Sequence, residues 1–359
     1  LESLCGHPEL NLNQQPSAQG EVRHHYPLAI RDASVATAIG LFLKTLPYAL
    51  VRFVILIAVT FVTIVWGILT FGGAAWIGDK VHGLFGLVWF AGGSGIFGYL
   101  WHAIIRYFLY MIKCGHIAVL TELITHGEIG NGSEDMFSYG KRIIIEKFAQ
   151  VNALFAIDAL VDGVIAAFNN TLDWIGSLLP VPALESLVKL VKGILFQTTT
   201  YIDETIFSYS LARGETNPWL GAQDGIIYYC QNVKDILKTA IYVVILDVVF
   251  SAMLWGVFLA PALLLVWLTT SRIIGGAALV ASVMCAANAR SAFLEPLFLI
   301  MVMIRFHVAV ENQPINQDWD VQLSGLNSSF CEIKEHAAAW MSAPANQTVT
   351  GAESASGSL

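Results

Sequence analysis

Long apolar runs alternate with polar, charge-bearing segments along this chain, and run length decides how they are read. A helix rising 1.5 Å per residue needs about 20 apolar residues to cross ~30 Å of hydrocarbon. Tyr48–Phe71, Leu84–Ile112, Leu237–Leu268 and Ile273–Val310 each meet that requirement. Two further segments, Asn152–Pro180 and Pro182–Gly214, are apolar on average but carry polar faces. They read either as spans lining a wet interior or as a hairpin that only partly enters the membrane. The pattern therefore predicts an all-α polytopic membrane protein with about six transmembrane or membrane-embedded helices.

The polar segments complete the plan. Residues 1–47 form a polar lead-in ending in an amphipathic interfacial helix, Arg31–Pro47, flanked by Arg31 and Lys44. Residues 48–112 are a first transmembrane hairpin, 113–150 a helical loop, 151–214 the amphipathic membrane-embedded hairpin, and 215–236 a connector. Residues 237–310 are a second transmembrane hairpin, and 311–359 a soluble segment that ends in a disordered tail by composition. No short apolar leader with a cleavage site precedes Tyr48, so insertion by an internal helix is expected.

Lysine and arginine set the orientation. Arg23, Arg31, Lys44 and Arg52 flank the first span, whereas the following reversal has only Lys80. Lys113, Lys141, Arg142 and Lys147 mark the next loop, and Arg213, Lys234 and Lys238 precede the fifth expected span. Arg272 alone marks the last reversal. The alternation places both termini and the 113–150 and 215–236 segments in the cytoplasm, across a cell inner (plasma) membrane.

Composition agrees with this plan. Of 359 residues, 56% are hydrophobic and 13% charged, about half the charged share of a soluble domain. Mean hydropathy is +0.63. A net charge of −8 leaves no basic patch to neutralise phosphates, so nucleic acid is excluded as a partner. Cys5, Cys114, Cys230, Cys285 and Cys331 are scattered without a CxxC spacing and read as reduced thiols, not as a zinc site or a disulfide framework.

Charges inside the apolar runs carry the candidate chemistry. An unpaired charge at the bilayer centre costs at least ~2.5–3.5 kcal/mol, so Asp247, Arg290 and Glu295 must be partnered or used. The last two spans are joined by a short turn, and depth along each helix brings Asp247 and Arg290 to similar levels, which predicts an Asp247–Arg290 ion pair. Glu295 has no evident partner and is left either to neutralise by protonation or to face an aqueous cavity. Asp158 and Asp162 stand one helical turn apart on the polar face of their segment, and Asp203 and Glu204 lie on the next. With Asp247, Arg290 and Glu295 they are the candidate lining of a path that favours cations or protons. The opposing reading is that these polar helices merely face one another or a second subunit.

Other features point to structure. Gly92, Gly95 and Gly98 fall on one helix face and predict close approach to a neighbouring helix. Pro296 predicts a bend in the last run. Glu122 and His126, four apart, are a weak candidate metal pair without an HExxH pattern. No nucleophile elbow, phosphate loop or dinucleotide fingerprint is present, so neither enzymatic activity nor a cofactor is expected.

The stretch Thr199–Val249, through Tyr201-Ile202, Ala222 and "LKTAIYVVILD", resembles the choline transporter-like family. That resemblance implies a multi-pass helical transport fold and carries over no functional residue. The chain as a whole resembles bacterial multi-pass inner-membrane proteins. Two functions follow: a channel or transporter for a small polar or cationic solute, or a non-transporting scaffold or accessory subunit. Lipid is the partner in both, with assembly as a homo-oligomer or in a larger membrane complex.

Overall fold

The computed structural model describes residues 26–147, single positions between 153 and 165, and 201–342 except 270. Among the described residues the chain is helical and forms no strand. Four helical stretches are long and apolar enough to cross a membrane: Leu46–Lys80, Gly83–Thr125, Ile241–Leu268 and Ile274–Val310. This is an all-α helical membrane protein. Most of the amphipathic hairpin expected at 151–214 lies outside the described residues. Its last part is a helix of only 12 residues, Ile202–Arg213, too short to span.

The chain divides into two units. One takes in Leu1–Ala38, Ile117–Val244 and Leu299–Leu359, the other Ile39–His116 and Ile245–Phe298. The N-terminal amphipathic stretch forms α1 (Val35–Lys44), with Ala38 and Leu41 buried and Ile39 and Leu43 exposed.

The membrane unit is built on two hairpins. The first joins α2 (Leu46–Lys80) to α3 (Gly83–Leu100), a π-helical turn (Trp101–Ile105) and the start of α4 (Arg106–Thr125). His82 starts α3 by accepting the Leu84 N–H on its ring, which satisfies one of the first-turn donors. The α2–α3 contact is set by glycines. A Cβ on Gly86 would stand 2.5 Å from the Ala74 carbonyl oxygen, and one on Gly93 would stand 2.9 Å from Thr70. Two tryptophans brace the pair reciprocally: the Trp66 indole N–H donates to the Gly93 carbonyl at 3.0 Å, and that of Trp89 to Leu69 at 3.2 Å. The expected packing glycines are different ones. A Cβ on Gly92, Gly95 or Gly98 would meet nothing within 4 Å. Gly86 and Gly93, seven residues apart, share the face that α2 packs against, and none of the triplet is in such close contact.

The second hairpin joins α8 (Val233–Leu268) to α9 (Arg272–Ala289), a second π turn (Arg290–Leu294) and α10 (Glu295–Val310). Ser271 caps α9 at Ile274 N. Pro296 cannot donate a backbone hydrogen bond, and the turn just before it widens so that the Glu295 N–H reaches the Arg290 carbonyl five residues back. Where the proline predicts a bend, the helical run carries a π turn.

The other unit buries polar side chains, among them Thr121, Ser208, Asp224 and His307, together with aromatic ones. Besides the parts of α4 and α10 that belong to it, it contains α5 (Met136–Glu146), α6 (Ile202–Arg213), α7 (Pro218–Gln231), α11 (Gln317–Leu326) and α12 (Ser328–Ser342). The 215–236 segment, read as a connector, contains α7. Gly214 ends α6 at φ 70°, Asn217 accepts from Trp219 N and Leu220 N, and Pro218 opens the new helix. Gly221 and Gly225 on α7 let it close on Ser210 and Ile206 of α6. Tyr209 sits at the centre, edge-on to Tyr26, Tyr228 and Phe306. Arg213 bridges Asp224, which is completely buried, and Glu215. The cysteines differ from expectation at one position. Cys331 is disulfide-bonded, its partner lies outside the described residues, and Cys114, Cys230 and Cys285 are in no disulfide.

Candidate functional site

In the membrane unit the charged residues meet around the second π turn. Arg290, its first residue, donates from Nη2 to Asp247 Oδ2 of α8 at 2.7 Å and from Nε to Ser251 Oγ at 3.2 Å. Ser251 in turn donates to Asp247 Oδ1 at 3.0 Å, which closes a three-residue ring. Glu295, just past the turn, accepts from Arg52 Nη2 of α2 at 2.7 Å and from Ser291 Oγ at 2.9 Å. Arg52 was not expected at this site. It reads as a positive-inside flanking residue, and 243 positions separate it from Glu295. The same two helical runs also meet where Asn288 donates to Thr60 Oγ1 at 2.8 Å and where Phe53 packs on Phe293.

Depth explains why these charges are tolerated. From the start of α9 to Arg290 is about 27 Å, and from Asp247 to the end of α8 about 32 Å. In a ~30 Å core both pairs lie near one edge, where insertion costs less than at the centre and where each carboxylate has its own guanidinium. The two halves of the turn serve different neighbours. Arg290 ties it to α8, and Glu295 ties it to α2.

The other sequence candidates scatter. Asp158 and Asp162 lie outside the described residues. Asp203 and Glu204 occupy the first turn of α6, where carboxylates favour the positive helix end, and Glu204 is buried in the unit that contains α6. Glu122 accepts from Tyr139 at 2.9 Å and faces His126 Nδ1 at 3.3 Å. Among the described residues no group of three metal-ligating side chains exists. Burial, then the hydrogen bond to Glu122, pushes the Tyr139 hydroxyl well above the usual phenol range.

A polar chain that the sequence does not reveal runs through the other unit. Tyr26 OH meets His307 Nδ1 at 2.8 Å, His307 Nε2 meets Ser208 Oγ at 2.8 Å, and Thr121 Oγ1 donates to Ser208 at 2.8 Å. Burial raises the Tyr26 hydroxyl far above its ordinary range, so it stays protonated. This arrangement fixes the segment preceding α1 onto the unit. Ala29 N and Ile30 N donate to the Ile124 carbonyl, and Arg31 pairs with Glu311 at 2.6 Å.

No protein-family model matches the chain, and comparison with curated proteins and with solved structures finds no match.

Proposed function

We propose that this protein is a non-transporting scaffold or accessory subunit of the plasma (inner) membrane, which holds a helical, tyrosine-rich unit at the cytoplasmic face for assembly into a larger complex. The observation that carries this reading is the mutual neutralisation of Arg52, Asp247, Arg290 and Glu295. A carboxylate already held by a guanidinium and a serine is poorly placed to coordinate a passing cation, because the cation must first displace both. Four crossings return the long polar segments to one side, and the lysine and arginine distribution makes that side the cytoplasm. Ser208 and His307 have the spacing of a nucleophile and its base, but both are 0% exposed, which leaves no room for a substrate and speaks against catalysis.

The π turn between the two ion pairs favours a second reading, since such turns recur at functional sites. In it, breaking the pairs opens a path for a small polar or cationic solute. Proteoliposome flux separates the two. The scaffold reading expects no sodium, potassium or proton flux above protein-free vesicles, and none from Glu295→Gln or Asp247→Asn. Flux in the wild type that either substitution alters would establish transport instead.

A further inference from the structure

We propose that the groove between α2 and α3 is a binding site for one acyl chain of a membrane phospholipid. The groove is partly open and has a volume of about 780 Å³, within the ~300–1,000 Å³ of small-molecule sites. Its walls are Trp66, Leu69, Val88, Trp89 and Ile96, with Thr70 and Gly92 among the few other contributors. An apolar cavity of this kind stays dry, and in a bilayer the fluid available to fill it is hydrocarbon.

Two features distinguish this groove from an ordinary lipid-facing surface. The first is rigidity. A tryptophan in a membrane usually turns its N–H toward the headgroups or water. Here both indole N–H groups are satisfied across the hairpin by backbone carbonyls, so the rings are fixed as apolar walls before any ligand arrives. The second is the unfilled floor. Gly92 lines the groove, and a Cβ there would meet nothing within 4 Å, so the space beside it is open. Charge at one end matches a phospholipid. Val81 and Phe85 line the groove next to the interhelical turn, and Val81 is flanked in the chain by Lys80 and His82. The Lys80 side chain is 64% exposed and pairs with the likewise exposed Asp79 at 3.0 Å, a surface contact weak enough for a phosphate to displace.

Native mass spectrometry of the full chain released from mild detergent tests this, with bound lipid identified by mass. Wild type and Gly95→Leu, which adds the same side chain at an equally open position outside the groove, are expected to retain one phospholipid. Gly92→Leu and Val88→Trp, which fill the groove from two positions, are expected to lose at least nine-tenths of it at unchanged thermal stability. Equal retention in all four proteins would mean ordinary boundary lipid and overturn the proposal, as would a wild type without lipid. A retained free fatty acid, or a change of oligomeric state in Gly92→Leu, would overturn it in favour of a different occupant. If one groove-filling variant does not fold, the other decides.

Discussion

The Arg52 guanidinium donates to the Glu295 carboxylate at 2.7 Å and so ties α2, in the first membrane hairpin, to the start of α10. The two side chains are 17% and 32% exposed, which places them between a surface pair and a fully buried one. Removing one partner of a buried pair costs ~3–5 kcal/mol, and exposed pairs contribute ~0–1. Glu295→Gln or Arg52→Gln should therefore each destabilise the membrane unit by about 1–3 kcal/mol. The double variant should lose less than the sum, because neither charge is then left alone. Unfolding titrations in bicelles with the four proteins measure this directly, and strict additivity would mean that the contact carries no coupling.

Glycine positions on α2 and α3 should separate into two classes. A Cβ on Gly73 would stand 2.5 Å from the Trp89 indole nitrogen, and one on Gly86 the same distance from a backbone oxygen. Gly73→Ala should displace the indole and break its bond to Leu69, at a cost of about 1–3 kcal/mol, and Gly86→Ala should cost more because backbone cannot rotate away. Gly72→Ala, with open space around it, should be neutral or slightly stabilising through helix propensity. Thermal unfolding in detergent ranks the three.

Tyr26 holds the segment before α1 through His307. Tyr26→Phe keeps the ring contacts with Tyr209 and His307 but removes the hydroxyl that His307 Nδ1 faces. Amide hydrogen exchange at Ala29 and Ile30 should accelerate about tenfold, the equivalent of ~1.4 kcal/mol of local stability. Exchange at Ile206 and Ile226, deep in the same unit, should change much less.

Asp135 starts α5 by accepting the Phe137 and Ser138 amides. Hydrogen bonds from Ser138, through its hydroxyl and then its amide, hold this carboxyl below the usual aspartate range. Because the folded value is depressed, the contribution is present above the unfolded value and is lost as pH falls through the folded one. Exchange of the α5 amides should therefore rise below about pH 4, and Asp135→Asn should flatten that dependence while leaving the helix capped.

How much of this was legible without coordinates depends on how far apart the interacting groups lie in the chain. Run length and apolarity alone indicate membrane helices, because the cost of unsatisfied backbone in hydrocarbon leaves a chain few other choices. Local chemistry marks the ends equally well: Ser271 before α9, and Gly214, Asn217 and Pro218 between α6 and α7. The meeting of Asp247 with Arg290 follows from two helices joined by a short turn. Helical periodicity says which residues share a face, but not which neighbour that face will meet. Only the folded arrangement could choose Gly86 and Gly93 over Gly92, Gly95 and Gly98, give Glu295 its partner in Arg52, or bring Ser208 to His307 from 99 residues away. Those outcomes depend on packing between distant segments, and distance along the chain erases the pattern that would announce them.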